Sequence, residues 1–535
     1  MPDLRANRFL EIAVVLAVCA FLFFYGLGSF GLLGADEPRY AQIGAEMLAR
    51  HDWIAPTLNG TPWLEKPPLL YWGEMASYAV FGVHDWAARV PVALMTSLMV
   101  LAIYLFVRRH LPGWALDAAL ITASLAAVVG FGRGASTDMP LTVCFTVAML
   151  AWLEWFSDGP RACLLVFYAF SALGMLAKGP VAPFLAGVLI VAFAAVRREG
   201  KLILRTLWWP GILLFLAISL PWYVAVQLKT GDFFRVFILE HNLARFGTNL
   251  YRHHQPFWYY VPVVLLGMMP WTAIFIAELV RLARRFRVLR AEPASMPLTL
   301  FVTLWFVIPV IFFSISQSKL PGYVLPSIPA AALLVVAYLY DREEPRIPLG
   351  IALLHAACCG ALFAGILLAP HFLLRVHPPA AAIATAAGAG ALIFAVVAFA
   401  IIRRGVRLAH AVTLIPVLLA VAFIVKVAAP SLDAAQSARP VAEEIRRLAY
   451  PDNSPVLAFQ LKRETEYGLP FYRHAQAIHY EGGALPVQPA MIVARRGSRA
   501  ELEQALPLGT VLAHVADFEA QRLEFYMASP GAKHQ

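Results

Sequence analysis

Apolar runs broken at short intervals by Pro, Gly or charge fill most of the chain up to about residue 429. No residue from Thr206 to Leu228, from Ile347 to Leu374 or from Val376 to Ile402 is charged at neutral pH. A helix crossing a bilayer needs about 20 such residues. With Pro, Gly and charge as boundaries, thirteen spans are predicted, beginning near residues 9, 86, 114, 138, 162, 179, 207, 257, 297, 322, 347, 379 and 409. The first apolar stretch, from about Phe9 to Leu33, is longer than a signal-peptide core and is expected to stay as a span.

The pattern changes after Pro430. Helical periodicity over Ala438–Ala449 and Arg499–Ala505 alternates with short β-like runs at Val456–Gln460, Ala477–Tyr480, Met491–Ala494, Val511–Val515 and Arg522–Tyr526. That alternation predicts a small soluble α/β domain. The expected fold is therefore an all-α polytopic membrane protein of about thirteen transmembrane helices, residues 1–429, followed by an α/β domain, residues 430–535.

Composition agrees and excludes other classes. Of 535 residues, 60% are apolar and 14% charged, against roughly 25% charged in soluble domains. An ordinary cytosolic enzyme, a disordered chain and a nucleic-acid-coating protein are all ruled out. The net charge of +10 takes its meaning from placement. Arg108 and Arg109, Arg197 to Arg205, Arg281 to Arg290, Arg342 and Arg346, and Arg403 to Arg407 crowd into every second short loop. By the positive-inside rule these loops are cytoplasmic, as is the N-terminus, and thirteen spans leave the C-terminal domain outside. The five cysteines, Cys19, Cys144, Cys163, Cys358 and Cys359, all fall in apolar segments, so neither disulfides nor a Cys-based metal site is expected in the external parts.

Three external connections are too long or too polar for simple turns: residues 31–85, 229–256 and 316–323. The first carries a short amphipathic helix, Ala41–Arg50, and then Trp53, Trp63 and Trp72, which suit a segment lying on the membrane surface. It opens with Asp36, Glu37, Arg39 and Tyr40. Paired carboxylates with a cation and a phenol can bind a sugar, hold a cation or act as a base, although Asp36 could equally be the N-cap of the surface helix. Glu65 and Lys66 precede two prolines. A Lys held there can serve as a phosphate ligand or can snorkel to headgroups. Asp138 opens the fourth span as a site acid or as an N-cap. Lys319 and Tyr323 sit at the outer end of the tenth span, and His241 and Arg245 lie in the second connection. Asp36, Lys66, Asp138, Arg245, Lys319 and Tyr323 thus share one membrane face, which suits a substrate that is part anion, part sugar and part lipid. No Walker A, HExxH, CxxC pair or dinucleotide fingerprint is present.

Five motifs occur in order: Asp36-Glu-Pro-Arg-Tyr-Ala41, Glu65-Lys-Pro-Pro68, Ala177-Lys-Gly-Pro180, Pro256-Phe-Trp-Tyr-Tyr-Val-Pro262 and Ser318-Lys-Leu-Pro-Gly-Tyr323. The series resembles the GT-C glycosyltransferases of the protein O-mannosyltransferase superfamily, and within it the bacterial aminoarabinose transferases that modify lipid A. The likeness covers the membrane region to about residue 428. It implies an inner-membrane enzyme performing inverting transfer from an undecaprenyl-phosphate sugar at the periplasmic face, with 4-amino-4-deoxy-L-arabinose passed to a lipid A phosphate and polymyxin resistance as the consequence. It further implies Asp36 as the catalytic acid group of the first loop, Asp138 as a second acid, and Lys66, Arg245 and Tyr323 as holders of the carrier phosphate. Glu37 joins the catalytic set, and Lys319, Arg39 and Tyr40 join the donor-binding set. Glu65 and His241 leave room for a divalent cation such as zinc. Pro38 stands where many aminoarabinose transferases carry Thr, which keeps a mannose-type transferase to protein or glycan in view. From another class, a lipid or sugar flippase is the alternative.

Overall fold

The computed structural model describes residues 8–237, 255–291, 296–341, 347–485 and 489–530. Each of the thirteen anticipated starts falls on an apolar helix. Eight helices among the described residues are singly long and apolar enough to cross a membrane, from Asp85–His110 to Leu408–Gln436. The other five are shortened or broken. Arg8–Cys19 passes into a π-helical turn, Ala20–Phe24. Ala115–Ser124 and Ala126–Gly132 meet at 66°, because Leu125 is extended and the Ala126 N–H donates to the Met269 carbonyl at 2.9 Å. Ala162–Lys178 and Val181–Arg197 are joined through Gly179, whose φ of +87° suits a residue without Cβ. The apolar segment starting at Phe257 stops at Gly267 and resumes as Thr272–Ala291, so one expected span is two pieces.

A single large core runs through the membrane part, with Trp152, Trp271 and Trp305 fully buried in it. The first connection is more ordered than its sequence suggested. Its amphipathic helix starts earlier than anticipated, at Asp36, and runs to Ala49; a second helix, Leu69–Phe81, follows. Between them β1 (Thr57–Leu58) and β2 (Thr61–Pro62) form a hairpin. Its turn is Asn59-Gly60, both at positive φ, the pair favoured by two-residue hairpins. Glu46 accepts hydrogen bonds from the Thr57 hydroxyl at 2.6 Å and the Asn59 N–H at 2.7 Å, tying the hairpin to the helix.

The C-terminal domain is a five-stranded mixed sheet in the order β4-β3-β5-β7-β6. Here β3 is Val456–Phe459, β4 Ala477–His479, β5 Ala490–Arg495, β6 Thr510–Phe518 and β7 Leu523–Pro530. β3 pairs in parallel with β4 and β5, and β7 runs antiparallel to both β5 and β6. The last apolar helix runs on to Gln436, beyond the change in composition at Pro430. The domain is fastened to the membrane part along the segment that leads into the Asp36 helix. The Gly31 N–H donates to Asp433 at 2.8 Å and the Leu32 N–H to the Tyr472 hydroxyl at 2.7 Å. Arg439 pairs with Asp85. Phe471 is buried among Leu32, Ala41, Tyr78, Ala87 and Ala135.

Candidate active site

The Asp36–Ala49 helix has its first two side chains turned to different tasks. Neither Asp36 nor Asp138 is an N-cap: each is the first residue of its helix, and Ala35 and Thr137 occupy the cap positions without a side-chain cap bond. Both acids instead line one cavity of about 510 Å³. Glu37, Arg133 and Ser136 line it too, and the rest of its wall is apolar, with Phe30, Leu33, Ala127, Phe131, Val421 and Val425. Val421 and Val425 bracket the start of the π-helical turn Ile424–Ala428, and π turns often mark functional positions.

Each acid has its own cation. Arg39 donates to Asp36 at 2.5 Å, leaving the Asp36 side chain 48% exposed. The guanidinium lies within 5.0 Å of the ring centroids of Tyr40 and Trp63 and 5.8 Å from that of Tyr467. Burial alone would lower the Arg39 pKa; Tyr40, Asp36 and Glu65 outweigh it and raise it above its ordinary value. Tyr40 is raised as well, first by burial and then by Asp36, so it is a neutral phenol. Asp138 is paired with Lys178, whose ammonium also lies 4.7 Å from the Tyr323 ring centroid. Gly322 makes this approach feasible, since a Cβ there would stand 2.6 Å from the Asp138 carboxyl carbon.

Glu37 is held through both oxygens. Its Oε1 accepts from Arg89 Nε at 3.0 Å and the Ala135 N–H at 2.7 Å, and its Oε2 from Arg89 at 2.7 Å and the Leu33 N–H at 2.7 Å. Arg89 spends its other bonds on the carbonyls of Leu27, Phe30 and Gly31. A carboxylate with two partners on each oxygen holds the chain in place and is poorly suited to proton transfer. Glu37 lines the same cavity, and its saturated oxygens make it a fastener of the cavity wall.

The other anticipated residues divide. Glu65 is close enough to Arg39 to act on its pKa, and the buried Lys66 donates to the Glu65 carbonyl at 3.1 Å. Lys319 is buried and donates to the Ser316 carbonyl at 2.6 Å. Arg245 and His241 lie outside the described residues. Among the described residues no group of three or more His, Cys, Asp or Glu side chains could hold a metal ion, so no step is derived through one. Sequence reasoning gave no site role to Lys178, although it quoted its motif, nor to Arg89, Ser136 or Tyr467. The first two had a signal, a cation within or at the end of an apolar span. Ser136 lines the cavity with its hydroxyl buried and, among the described residues, without a hydrogen-bond partner. Nothing near Tyr467 announces its contact with Arg39.

The family profile of dolichyl-phosphate-mannose-protein mannosyltransferases matches residues 65–224. An undecaprenyl phosphate-α-4-amino-4-deoxy-L-arabinose arabinosyl transferase of Pseudomonas fluorescens is 33% identical over 343 residues, which are 62% of this chain and 56% of that protein. One from Pseudomonas aeruginosa is 33% identical over 338 residues, 61% of this chain and 59% of its own length. The chain thus spans under two thirds of the curated relatives it matches. The crystal structure of ArnT from Cupriavidus metallidurans bound to undecaprenyl phosphate superposes over 97% of both chains, with a TM-score of 0.77 and 26% identity. Its apo form gives a TM-score of 0.75. In fold and sequence the chain is ArnT-like, a multi-pass membrane protein of GT-C architecture with a small C-terminal sheet domain.

Proposed function

We propose that this ArnT-like chain is an inverting, lipid-carrier-dependent glycosyltransferase of the bacterial inner membrane. It moves 4-amino-4-deoxy-L-arabinose from undecaprenyl phosphate to a phosphate of lipid A. The observation that carries the reading is the cavity lined by Asp36, Glu37 and Asp138, each carboxylate paired with its own cation, and closed by a long apolar wall. A prenyl or acyl chain suits the wall, and a cationic amino sugar suits the acids. The N-terminus is cytoplasmic and the C-terminal domain periplasmic, as the basic loops require.

In this mechanism the acceptor phosphate is already anionic, so a strong base is not needed. Orientation and charge placement supply most of the acceleration. Asp36, half exposed and held by Arg39, meets the sugar and acceptor. Asp138, held by Lys178, lines the same cavity. Lys66, Tyr323 and Lys319 are assigned to the leaving carrier phosphate, and the motif resemblance assigns Arg245 the same role. As negative charge returns to that phosphate in the transition state, nearby cations stabilise it.

The test is reconstitution of the purified protein in vesicles with the undecaprenyl-phosphate aminoarabinose donor and lipid A, read by lipid A mass. The reading expects one pentosamine added per modified phosphate, and loss of at least about a hundredfold in rate for Asp36→Asn with unchanged thermal midpoint. An unmodified lipid A, with mannose-type donors accepted instead, would replace it by the protein or glycan mannosyltransferase reading.

A further inference from the structure

The C-terminal domain lies beside the site and has no assigned part in it. Its helix Arg463–Arg473 packs on the first turn of the Asp36–Ala49 helix. Gly468 is the point of closest approach: a Cβ there would lie 3.5 Å from the Pro38 Cβ and 2.5 Å from the Ala438 Cβ. The residue before it, Tyr467, packs against the core of the membrane part. Its ring centroid stands 5.8 Å from the Arg39 guanidinium. Tyr40 and Trp63 are the other two faces of that cage, each at 5.0 Å.

Three parts of the chain therefore converge on one arginine: the helix itself, the Asn59-Gly60 hairpin that delivers Trp63, and, from far along the sequence, the C-terminal domain. Arg39 Nε is buried without a hydrogen-bond partner among the described residues, so its orientation rests on the ring faces, on the bond to Asp36 and on a longer one donated to the Tyr40 hydroxyl at 3.4 Å. Aromatic faces attract a guanidinium most when it is desolvated, as here. Remove one face and the side chain gains rotamers and water, and Asp36 loses its fixed partner.

From this we infer that the C-terminal domain completes the active site, with Tyr467 as a positioning residue that holds Arg39 against Asp36. The inference rests on the reading of Asp36 given under Proposed function. Phe471 and Tyr472 dock the domain, and Tyr467 carries the docking into the chemistry.

The experiment compares Tyr467→Ala, Tyr467→Leu and Tyr467→Phe in the full chain, with Phe471→Ala as a docking control. Tyr467→Ala and Tyr467→Leu are expected to lower kcat about tenfold with KM for the donor changed less than about twofold. Tyr467→Phe keeps the ring and is expected to retain most of the rate, whereas Phe471→Ala lowers the thermal midpoint. Hydrogen–deuterium exchange of residues 33–42 is read alongside and needs no turnover. It rises in the Ala and Leu variants and stays low in Phe. Wild-type kcat in Tyr467→Ala, or a Leu variant as active as wild type, overturns the positioning role while leaving the transferase reading intact if Asp36→Asn is dead. A wild-type protein that transfers no sugar removes the transferase reading instead. The exchange data then decide the Tyr467 contact by themselves, with unchanged exchange in the Ala variant overturning it.

Discussion

Glu37 with Arg89 and Asp36 with Arg39 are two carboxylate–arginine pairs whose acids are adjacent in the chain, and they differ in what surrounds them. The first is buried, its side chains 11% and 1% exposed, and every oxygen of the acid has two donors. The second has one oxygen bonded by arginine and a carboxylate half open to the cavity. A saturated pair resists change because any loss strands a charge. An open pair can exchange its partners with a ligand at little cost. Adjacent acids thus separate into a saturated fastener and an open group by their partners, with no difference in chemical type.

The largest expected effect comes from breaking the fastener. Arg89→Ala leaves Glu37 uncompensated and deprives the carbonyls of Leu27, Phe30 and Gly31 of their donor. Truncating one member of a buried pair costs about 3–5 kcal/mol. The protein is expected to be lost as a monodisperse species in detergent, or to melt well below wild type. If Arg89→Ala melts like wild type, the contrast between the two pairs collapses.

A smaller effect isolates the opposite rim. In Gly322→Ala the new Cβ meets the Asp138 carboxyl group, which Lys178 pins from another direction. The acid must turn aside while the fold persists. A shift near 1 Å in a reacting group costs roughly a hundredfold in rate, so kcat should fall by about that factor with the thermal midpoint unchanged. A variant with full activity would show that Asp138 need not hold this geometry.

Which parts could be read from the chain follows from the range of the interactions. Spans and basic loops are local properties, and all thirteen starts met apolar helices. The five β-like runs of the C-terminal domain were legible for the same reason. The bend at Leu125 was not, because its cause is the carbonyl of Met269 in another span. The helix Arg463–Arg473 was missed because it contains Gly468 and Pro470, both poor helix residues by propensity; packing of Gly468 on Ala438 and Pro38 overrides that. Asp36 and Asp138, which share one cavity, were visible as charges at the ends of predicted spans. The division of labour between Asp36 and Glu37 was hidden, because Arg89 lies 52 residues further on.

The smallest effect concerns a third acid beneath the fastener. Glu74 is completely buried on the Leu69–Phe81 helix, and neither carboxyl oxygen has a hydrogen-bond partner among the described residues. Burial first, and the charge of Glu37 second, raise its pKa well above 4.5, so it is held protonated. A raised folded-state pKa means that the folded chain keeps a proton which the unfolded chain releases. That contribution to stability is whole below about pH 4.5 and is lost as pH rises through the folded pKa. Glu74→Gln keeps the shape and removes the titration. The variant should therefore match wild type near pH 4.5 and melt above it by a margin that grows with pH and then levels off. Melting curves of both proteins at a series of pH values measure that margin. A constant margin would mean that Glu74 does not titrate differently on folding, and that the buried acid has found a partner the Glu37 node does not supply.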